Sequence, residues 1–404
     1  MNRLKVPLRN VFRNKRRTGF SVIIIALGVA ILLATLAFTD EAITSTKSSL
    51  ASDSGAVQIA APELFSQETK GFNYLIGPEE QEEIFSLIEG REGIRGATSR
   101  LEFGALARNE GNETTVVARG IVPGNCVQDY KCILQKGSPL STAKEDGIVL
   151  GRSLADELRV DVGDKFYLSY SKIGGSFTTA AVEVVGLANF SNAMFESRFA
   201  LTTLEFAQSL IDTEGVGRII VRLEDIEDTD KFTNILQEGI TGADLRYETR
   251  SWKALNPVFG SLSTFWNAFS NFTYLAVFTL VFFSTLEVLT MAFLERTSEV
   301  GTIKAIGMTR WEVFRDFLVE GALVGIIGGL LGLGLGALIG LVVNLSGITW
   351  KPPGATIPET LTIKLTFTTV LFPFIAAIIS TTFGSLIPAW KNSKISIVEA
   401  LRDG

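Results

Sequence analysis

Histidine and several sequence motifs on which enzymes depend are missing from this chain of 404 residues. It contains no histidine, so histidine-based catalysis and histidine metal ligands are excluded. It has two cysteines, Cys126 and Cys132, and no CxxC pair of the kind found in metal and redox sites. It also lacks a GxxxxGK[ST] phosphate loop, a GxSxG nucleophile elbow and an HExxH motif. We therefore expect no enzyme activity, no bound metal and no cofactor on this chain.

Charged residues are missing from four long stretches. A helix that crosses a bilayer needs about 20 apolar residues, and each stretch is long enough. Hydrophobic residues make up 47% of the chain and the mean hydropathy is +0.31, which is high for a soluble protein. We predict four membrane spans. The stretches lie between Arg17 and Asp40, Lys253 and Glu287, Glu320 and Lys351, and Lys364 and Lys391.

The N-terminal end is strongly basic. Residues 1–17 hold seven Lys or Arg and no acidic residue, which favours the cytoplasmic side of a membrane. The apolar run that follows has about 22 residues, more than the roughly 7–15 of a signal-peptide core, so an uncleaved anchor is favoured over a cleaved signal. Four spans then place both termini in the cytoplasm and residues 40–270 outside the cell membrane.

The long segment between the first and second spans mixes strand and helix patterns. The stretches GIVLG (147–151), VGDKFYLSY (162–170) and AAVEVVGLAN (180–189) are typical of strands. RSLADELRV (152–160) and PEEQEEIFSLIEG (78–90) are typical of short amphipathic helices. We predict a large α+β domain here. Five residues separate Cys126 from Cys132, which permits a small disulfide loop, and two free thiols are the alternative.

Residues 254–272 lead into the second span with apolar residues at steps of three and four. This pattern predicts a helix with one apolar stripe. The helix either packs on its own domain or forms a stalk that packs on a partner stalk. The stripe consists of Leu255, Val258, Phe259, Leu262, Phe265, Trp266, Phe269 and Phe272.

The third span contains two rows of glycines spaced four apart, which allow helices to approach closely in lipid. The pattern fits either a mobile helix interface or simple packing within the chain. The rows are Gly321, Gly325 and Gly329, and Gly328, Gly332, Gly336 and Gly340.

The segment between the second and third spans, residues 295–318, carries apolar residues along one helical face. Lys304, Glu312 and Arg315 point elsewhere, and Gly301 and Gly307 permit close approach of another backbone. We predict one short amphipathic helix at the cytoplasmic surface, with resting on lipid headgroups as the alternative. The apolar residues are Val300, Ile303, Ile306, Trp311, Phe314 and Leu318.

Four stretches together resemble a known family. They are ERTSEVGTIKAIGMTRWEVFRDFLVEGALVGIIGGLLG from Glu295, IPAWKNSKISIVEALR near the C-terminus, LRNVFRNKRRTGFSVIIIALGVA near the N-terminus, and GIVLGRSLADELRVDVGD from Gly147. They are similar to FtsX-like and MacB-like permeases, the membrane subunits of type VII ABC transporters. The resemblance implies a four-helix transmembrane permease with a large α+β extracytoplasmic domain between the first and second spans.

The resemblance also implies partners. The permease would be a homodimer in the lipid membrane and would work with a separate ABC-type ATPase that holds ATP and Mg, with an adaptor protein as a further partner and no nucleic acid. The segments that match the family's docking motifs would contact the ATPase. Their residues here are Glu295, Arg296, Glu299, Gly301, Lys304, Ala305, Gly307, Arg310, Glu399, Ala400, Leu401 and Arg402.

In this family ATP binding and hydrolysis move the external domain, which is called mechanotransmission. The resemblance therefore implies export or efflux of a peptide, antibiotic, lipid or lipoprotein. The alternative is a signalling scaffold that activates a cell-wall hydrolase, but the external domain of that branch is typically much smaller.

The chain departs from the family pattern at two places. Ile397 stands around the position of the usual proline before the EALR motif, and Glu287 stands where the family usually has an asparagine. A carboxylate inside a span is costly, so Glu287 is not expected to face lipid. It either reaches the cytoplasmic boundary or bonds to Ser284, Thr285 or Thr290, or it meets its copy in a dimer as a proton- or cation-sensitive site.

These patterns divide the chain into ten segments. They are a basic cytoplasmic segment (1–17), the first span (18–39), the extracytoplasmic domain (40–253), a stalk (254–271), the second span (272–294), a cytoplasmic coupling segment (295–318), the third span (319–345), a short outer loop (346–364), the fourth span (365–388) and a cytoplasmic tail (389–404).

Overall fold

The computed structural model describes residues 15–66, 72–122, 133–140, 146–190, 193–295, 297–351, 358–397 and 400. These residues form two compact units. One comprises the described residues up to Ile43, Leu262–Thr349 and those from Thr360 onward, and is called the membrane unit below. The other comprises Thr44–Ser261 and Trp350–Glu359, and is called the external unit. Cys126 and Cys132 lie outside the described residues.

The described helices are α1 (Lys15–Ser54), α2 (Pro62–Ser66), α3 (Pro78–Ile88), α4 (Arg152–Leu158), α5 (Ala193–Arg198), α6 (Leu204–Ile211), α7 (Thr229–Gly242), α8 (Trp252–Leu255), α9 (Pro257–Glu295), α10 (Thr297–Ala305), α11 (Arg310–Ser346) and α12 (Phe367–Lys394). A 3-10 turn covers Ile226–Asp228.

The described strands are β1 (Val57–Ala60), β2 (Ile94–Asn109), β3 (Asn112–Ile121), β4 (Ile133–Gly137), β5 (Gly147–Gly151), β6 (Lys165–Ser171), β7 (Phe177–Asn189), β8 (Phe199–Thr203), β9 (Arg218–Leu223), β10 (Glu248–Ser251), β11 (Thr349–Trp350) and β12 (Glu359–Thr360).

In the described part of the chain, four helices are long and apolar enough to cross a membrane, which confirms the prediction of four spans. They contain the segments Thr18–Ser48, Pro257–Ala292, Arg310–Ser346 and Phe367–Lys394. The helices α1, α9 and α11 extend past the predicted spans at both ends. Backbone hydrogen bonding continues along a helix after its side chains become too polar for lipid, so apolar runs understate helix length.

The two glycine rows of α11 face two different spans. A Cβ atom at Gly321 or Gly325 would come within 2.7 and 2.2 Å of side-chain atoms of Ser385 and Thr381 on α12. A Cβ atom at Gly328 would come within 2.7 Å of Ile25 on α1, and Gly332 and Gly336 face α1 as well. Both rows thus contact other parts of the same chain and let neighbouring helices approach closely, except that Gly340, the last glycine of the second row, faces Ile363 rather than α1.

The described strands of the external unit form one ten-stranded sheet. Its strand order is β10-β1-β9-β2-β3-β8-β5-β7-β4, with β6 paired to β2 and β7. The pairs β3–β8 and β5–β7 are parallel and the other pairs are antiparallel. Helices mixed with this sheet confirm the predicted α+β class, and β5, α4, β6, β7 and α3 form where the sequence patterns predicted them.

In the described part of the chain, three clusters of buried apolar residues pack against this sheet, and the 16-residue strand β2 takes part in the two larger ones. Ala97, near the start of β2, packs on a core with Ile59, Ile219 and the helices α3 and α7. Residues from Leu101 onward belong to a second core with α4, β6 and β7. Because one strand is shared, the two cores form a single sheet-bound unit.

A carboxylate lies among three arginines on this sheet. Arg119 Nε is 2.5 Å from Glu102 Oε1, Arg218 Nη2 is 3.4 Å from Oε2, and Arg100 Nη1 is 3.9 Å from Oε1. Burial by itself would raise the pKa of Glu102, but Arg119, Arg218 and Arg100 outweigh burial and hold that pKa at about 2. The carboxylate thus stays charged and joins β2 to β3 and β9.

Candidate coupling site

The segment between the second and third spans is two helices joined by a tight turn. Helix α10 ends at Ala305, and the amide groups of Ile306, Gly307 and Met308 donate to the carbonyls of the last helical turn. Gly307 has a φ of +113°, which is strained for any residue with a side chain. The glycine therefore allows the chain to leave α10 and turn toward α11.

Helix α11 begins with a capping box. The backbone N–H of Glu312 donates to Thr309 Oγ1 at 3.3 Å, and the N–H of Thr309 donates to Glu312 Oε2 at 3.0 Å. The prediction of one amphipathic helix over this segment was wrong, because Gly307 ends one helix and Thr309 caps the next. The T-x-x-E spacing in TRWE was the sequence signal that could have revealed the break.

The break divides the predicted apolar face into two groups. One group packs against a small core formed by Val313 and Phe317 of α11 and Ala389 of α12. The residues packed against this core are Val300, Met308, Phe314 and Leu318. By contrast, Ile303, Ile306 and Trp311 are 43%, 82% and 69% exposed. These three residues are called the exposed triad below. One side of the coupling segment is thus held by the chain and the other is presented outward.

Lys304 connects α10 to the end of the fourth span. Its ammonium group donates to the carbonyl of Ser393 at 3.1 Å and also to the carbonyl of Ile395. These carbonyls belong to the C-terminal end of α12, where backbone acceptors lack helical partners and the helix dipole is negative. Partial burial, and then the positive charge of Arg310, lower the pKa of Lys304. Burial and Arg310 disfavour the charged form of Lys304, whereas the hydrogen bonds to the two carbonyls favour it.

The other predicted coupling residues differ in exposure. Glu295, Ala305 and Arg310 are exposed, Glu299 is half-buried and Gly301 is buried. Ala400 is buried and its N–H donates to the Ser396 carbonyl at 3.0 Å. Four predicted coupling residues, Arg296, Glu399, Leu401 and Arg402, lie outside the described residues.

Glu287 lies on a continuous exposed face of α9. In the described part of the chain its carboxylate makes no hydrogen bond or ion pair, and Thr290 donates to the carbonyl of Leu286 at 2.7 Å. Within a single chain Glu287 is therefore surrounded by exposed apolar side chains. The face consists of Phe265, Phe269, Phe272, Leu280, Phe283, Glu287, Met291 and Leu294.

The predicted stalk stripe also divides between two faces of the structure. Trp266 packs edge-on against Phe38 with ring centroids 5.4 Å apart, and Phe259 packs against Trp252 at 4.7 Å. Phe265 and Phe269 are exposed, whereas Leu262 is half-buried. Leu255 belongs to the separate helix α8. Part of the stripe thus packs within the chain, and the rest continues the exposed face of α9.

Two family models match the chain. The model "MacB-like periplasmic core domain" matches residues 18–238, which is more than half of the sequence, and "FtsX-like permease C-terminal" matches residues 271–397. The chain belongs to the FtsX-like and MacB-like permeases of ABC transporters. The family resemblance of the four sequence stretches is confirmed, and the core domain lies between the first two apolar spans as predicted.

Two curated relatives cover nearly the whole length of this permease, and a third covers part of it. The chain is 24% identical over 415 residues to "Lipoprotein-releasing system transmembrane protein LolC" of Xylella fastidiosa, covering 96% of each chain. It is 21% identical over 412 residues to "Uncharacterized ABC transporter permease YknZ" of Bacillus subtilis, covering 100% of this chain and 99% of the relative. A "Macrolide export ATP-binding/permease protein MacB" of Psychrobacter cryohalolentis is 32% identical over 117 residues, which is 29% of this chain and 16% of the relative.

Two solved structures are similar to part of the permease. The extracellular domain of YknZ from Gram-positive bacteria is 13% identical and covers 49% of this chain and 100% of its own, with a TM-score of 0.35. The periplasmic region of MacB from Actinobacillus actinomycetemcomitans is 12% identical and covers 51% of this chain and 92% of its own, with a TM-score of 0.37.

The described residues of the permease contain no group of three or more His, Cys, Asp or Glu side chains that could hold a metal ion. Permeases of this family work with ABC ATPases, which use ATP and Mg. The permease is a multi-pass membrane protein with an extracellular domain.

Proposed function

We propose that this permease couples ATP hydrolysis by a separate ABC ATPase to movement of its external unit, and that the movement drives export. The observation that carries the proposal is the two-sided coupling segment. The exposed triad offers an apolar surface to a partner, while Lys304 links α10 to the end of α12. A displacement of the exposed triad by the ATPase is therefore transmitted through α10 and Lys304 to the end of the fourth span.

The proposed orientation places this segment where an ATPase can reach it. The basic residues 1–17 favour a cytoplasmic N-terminus, and four spans return the coupling segment and the C-terminal tail to the same side. The external unit then lies outside the cell.

The proposed cargo is an amphiphilic export substrate, such as a peptide, antibiotic, lipid or lipoprotein. The names of the relatives support this range, since one is described as lipoprotein-releasing and another as a macrolide exporter.

The proposed assembly is a homodimer through the exposed face of α9. An apolar face of this kind fits a dimer in which the second span of one copy packs against the second span of the other copy. Glu287 would then lie in the seam rather than in lipid, where an ionised carboxylate is costly.

The docking proposal is tested with Ile306→Asp in the purified permease mixed with its ATPase. An isoleucine buried in an interface contributes about 1.5–3 kcal/mol, and a buried unpaired carboxylate adds a penalty. Co-purification should therefore fall at least tenfold. The matched control is Ile173→Asp, another exposed isoleucine, which lies in the external unit. Retained co-purification and normal stimulated ATP turnover of Ile306→Asp would show that the exposed triad is not the docking surface.

Transport is tested separately. In proteoliposomes that contain both subunits, an exporter moves substrate on ATP addition, whereas a signalling scaffold changes the exposure of its external unit to protease without moving substrate. The second result would favour the scaffold alternative.

A further inference from the structure

A cavity of about 420 Å³ lies among α1, α9 and α12 of the membrane unit. Its volume is in the range of small-molecule sites. Asp40 is the first charged residue after the apolar run of α1, so one end of the cavity lies where apolar helix gives way to polar chain. A cavity in this position suits a molecule with one polar and one apolar end.

The polar wall of the cavity carries one charge. Among the described residues that line it, Asp40 is the only charged one, and it is joined by the amides of Asn267 and Asn271. Thr39 and Ser270 are buried at the wall and bond to each other through their hydroxyls at 2.9 Å. The polar groups that line the cavity are therefore one exposed carboxylate and, otherwise, neutral amides and hydroxyl groups.

Glu41, the acidic residue that follows Asp40 in the sequence, differs from Asp40 in forming an ion pair. Glu41 forms an ion pair with Lys364, with Nζ and Oε2 3.2 Å apart. In the described part of the chain Asp40 has no such cation, and Glu41 is not among the lining residues. The cavity thus keeps a net negative charge, which favours a cation as its ligand.

The apolar wall is aromatic. Tyr274 and Phe372 meet edge to face with ring centroids 4.8 Å apart. Aromatic rings bind hydrocarbon surface and also attract cations through their faces. Both walls therefore fit one positive centre that carries apolar groups.

We propose that this cavity is a binding site for a lipophilic monocation, with the positive centre near Asp40 and the apolar groups against Tyr274 and Phe372. The proposal rests on the proposed export function, because it names a chemical class of cargo. Binding of the cation needs neither the ATPase nor coupling. The binding proposal can therefore fail while the export proposal holds, and the export proposal can fail while the binding proposal holds.

The test uses the full chain in phosphatidylcholine nanodiscs without the ATPase. Equilibrium dialysis measures the uptake of tetraphenylphosphonium above that of empty nanodiscs. Tetraphenylborate, which has the same shape and the opposite charge, is the matched ligand control. Asp40→Asn should weaken tetraphenylphosphonium binding at least tenfold, and Glu41→Gln should leave it within twofold of the wild type.

Several results overturn the proposal. They are uptake equal to empty nanodiscs, equal affinity in Asp40→Asn and wild type, or tighter binding of tetraphenylborate. Displacement of the cation by phosphatidylethanolamine added to the nanodiscs would identify an ordinary membrane lipid as the occupant and would also overturn it. If Asp40→Asn does not fold, Phe372→Leu replaces it. This variant should weaken binding severalfold, and unchanged binding counts against the site.

Discussion

Replacement of Lys304 by methionine tests how the coupling segment is joined to the fourth span. Lys304→Met keeps an unbranched apolar stem of similar length but removes the ammonium group that donates to the carbonyls of Ser393 and Ile395. Helix α10 should then remain packed through Val300 while it loses its polar link to α12.

The magnitude follows from the two hydrogen bonds. A hydrogen bond to a charged group contributes about 1.5–3 kcal/mol, and a cation at a helix C-terminus contributes about 0.3–1 kcal/mol. Lys304 is half-buried, so water replaces part of the loss. A net value of about 2 kcal/mol corresponds to a factor of roughly 30 in the equilibrium between linked and unlinked states.

The assay compares ATP turnover of the ATPase alone with turnover in the reconstituted complex. We expect Lys304→Met to reduce the stimulation of turnover at least tenfold while co-purification with the ATPase is retained, because the exposed triad is untouched. Lys391→Met removes an exposed lysine from the last turn of the same α12 helix and should have no effect.

Two results would refute this reasoning. Normal stimulation in Lys304→Met would mean that the link transmits nothing. Loss of ATPase binding as complete as in Ile306→Asp would mean that Lys304 contacts the ATPase directly, as the family resemblance implies.

Four further changes have defined outcomes. Glu102→Gln should remove stabilisation on the order of 3 kcal/mol. The wild type has this stabilisation above pH 4.5 and loses it as the pH falls toward 2, because the pKa of Glu102 in the folded state is lowered to about 2. Hydrogen exchange in β2, measured as a function of pH, checks this prediction, and an acid profile that the substitution leaves unaltered counts against it. Gly307→Ala should destabilise the turn by about 1–2 kcal/mol because its φ is +113°. Gly260→Ala lies within helix α9, with open space and no positive φ, so it should instead stabilise the fold by about 0.5–1 kcal/mol in the same thermal unfolding assay; equal effects would contradict the turn argument. Phe269→Cys should crosslink two copies in membranes, and absence of crosslinks in folded protein argues against a dimer seam along α9. Glu287→Gln should shift the pH profile of coupled ATP hydrolysis if the carboxylate meets its copy, and an unchanged profile leaves it a structural role only.

Some structural features could be predicted from short stretches of the sequence, and others could not. The helix from Pro78 and the strand from Gly147 were predictable because their caps, turns and periodicity lie within a few residues of one another. The break at Gly307 was missed although Thr309 and Glu312 carry a capping-box spacing. The apolar periodicity across the break imitated one continuous helix, and a short cap signal was outweighed by it.

The candidate site was predictable as a segment but not as a geometry. The family motif identified residues 295–318, yet the partner of Lys304 is 89 residues away in sequence. The same holds for Glu102 and its contact with Arg218, and for the cavity wall shared by Asp40 and Tyr274. No periodicity links such positions, because their contact depends on how helices and strands pack.

The sequence by itself determined the four spans, the α+β class of the external unit and the family. Those properties follow from runs of apolar residues, alternation within short strands and contiguous motifs, which are local in the chain. Only the tertiary structure decided that one glycine row of α11 meets α12 and the other meets α1, that Lys304 bonds to the end of α12, and that Asp40 lines a cavity while Glu41 pairs with Lys364. Each of these depends on which helix faces lie against each other, and the free energy of that choice is spread over long-range contacts that no local pattern records.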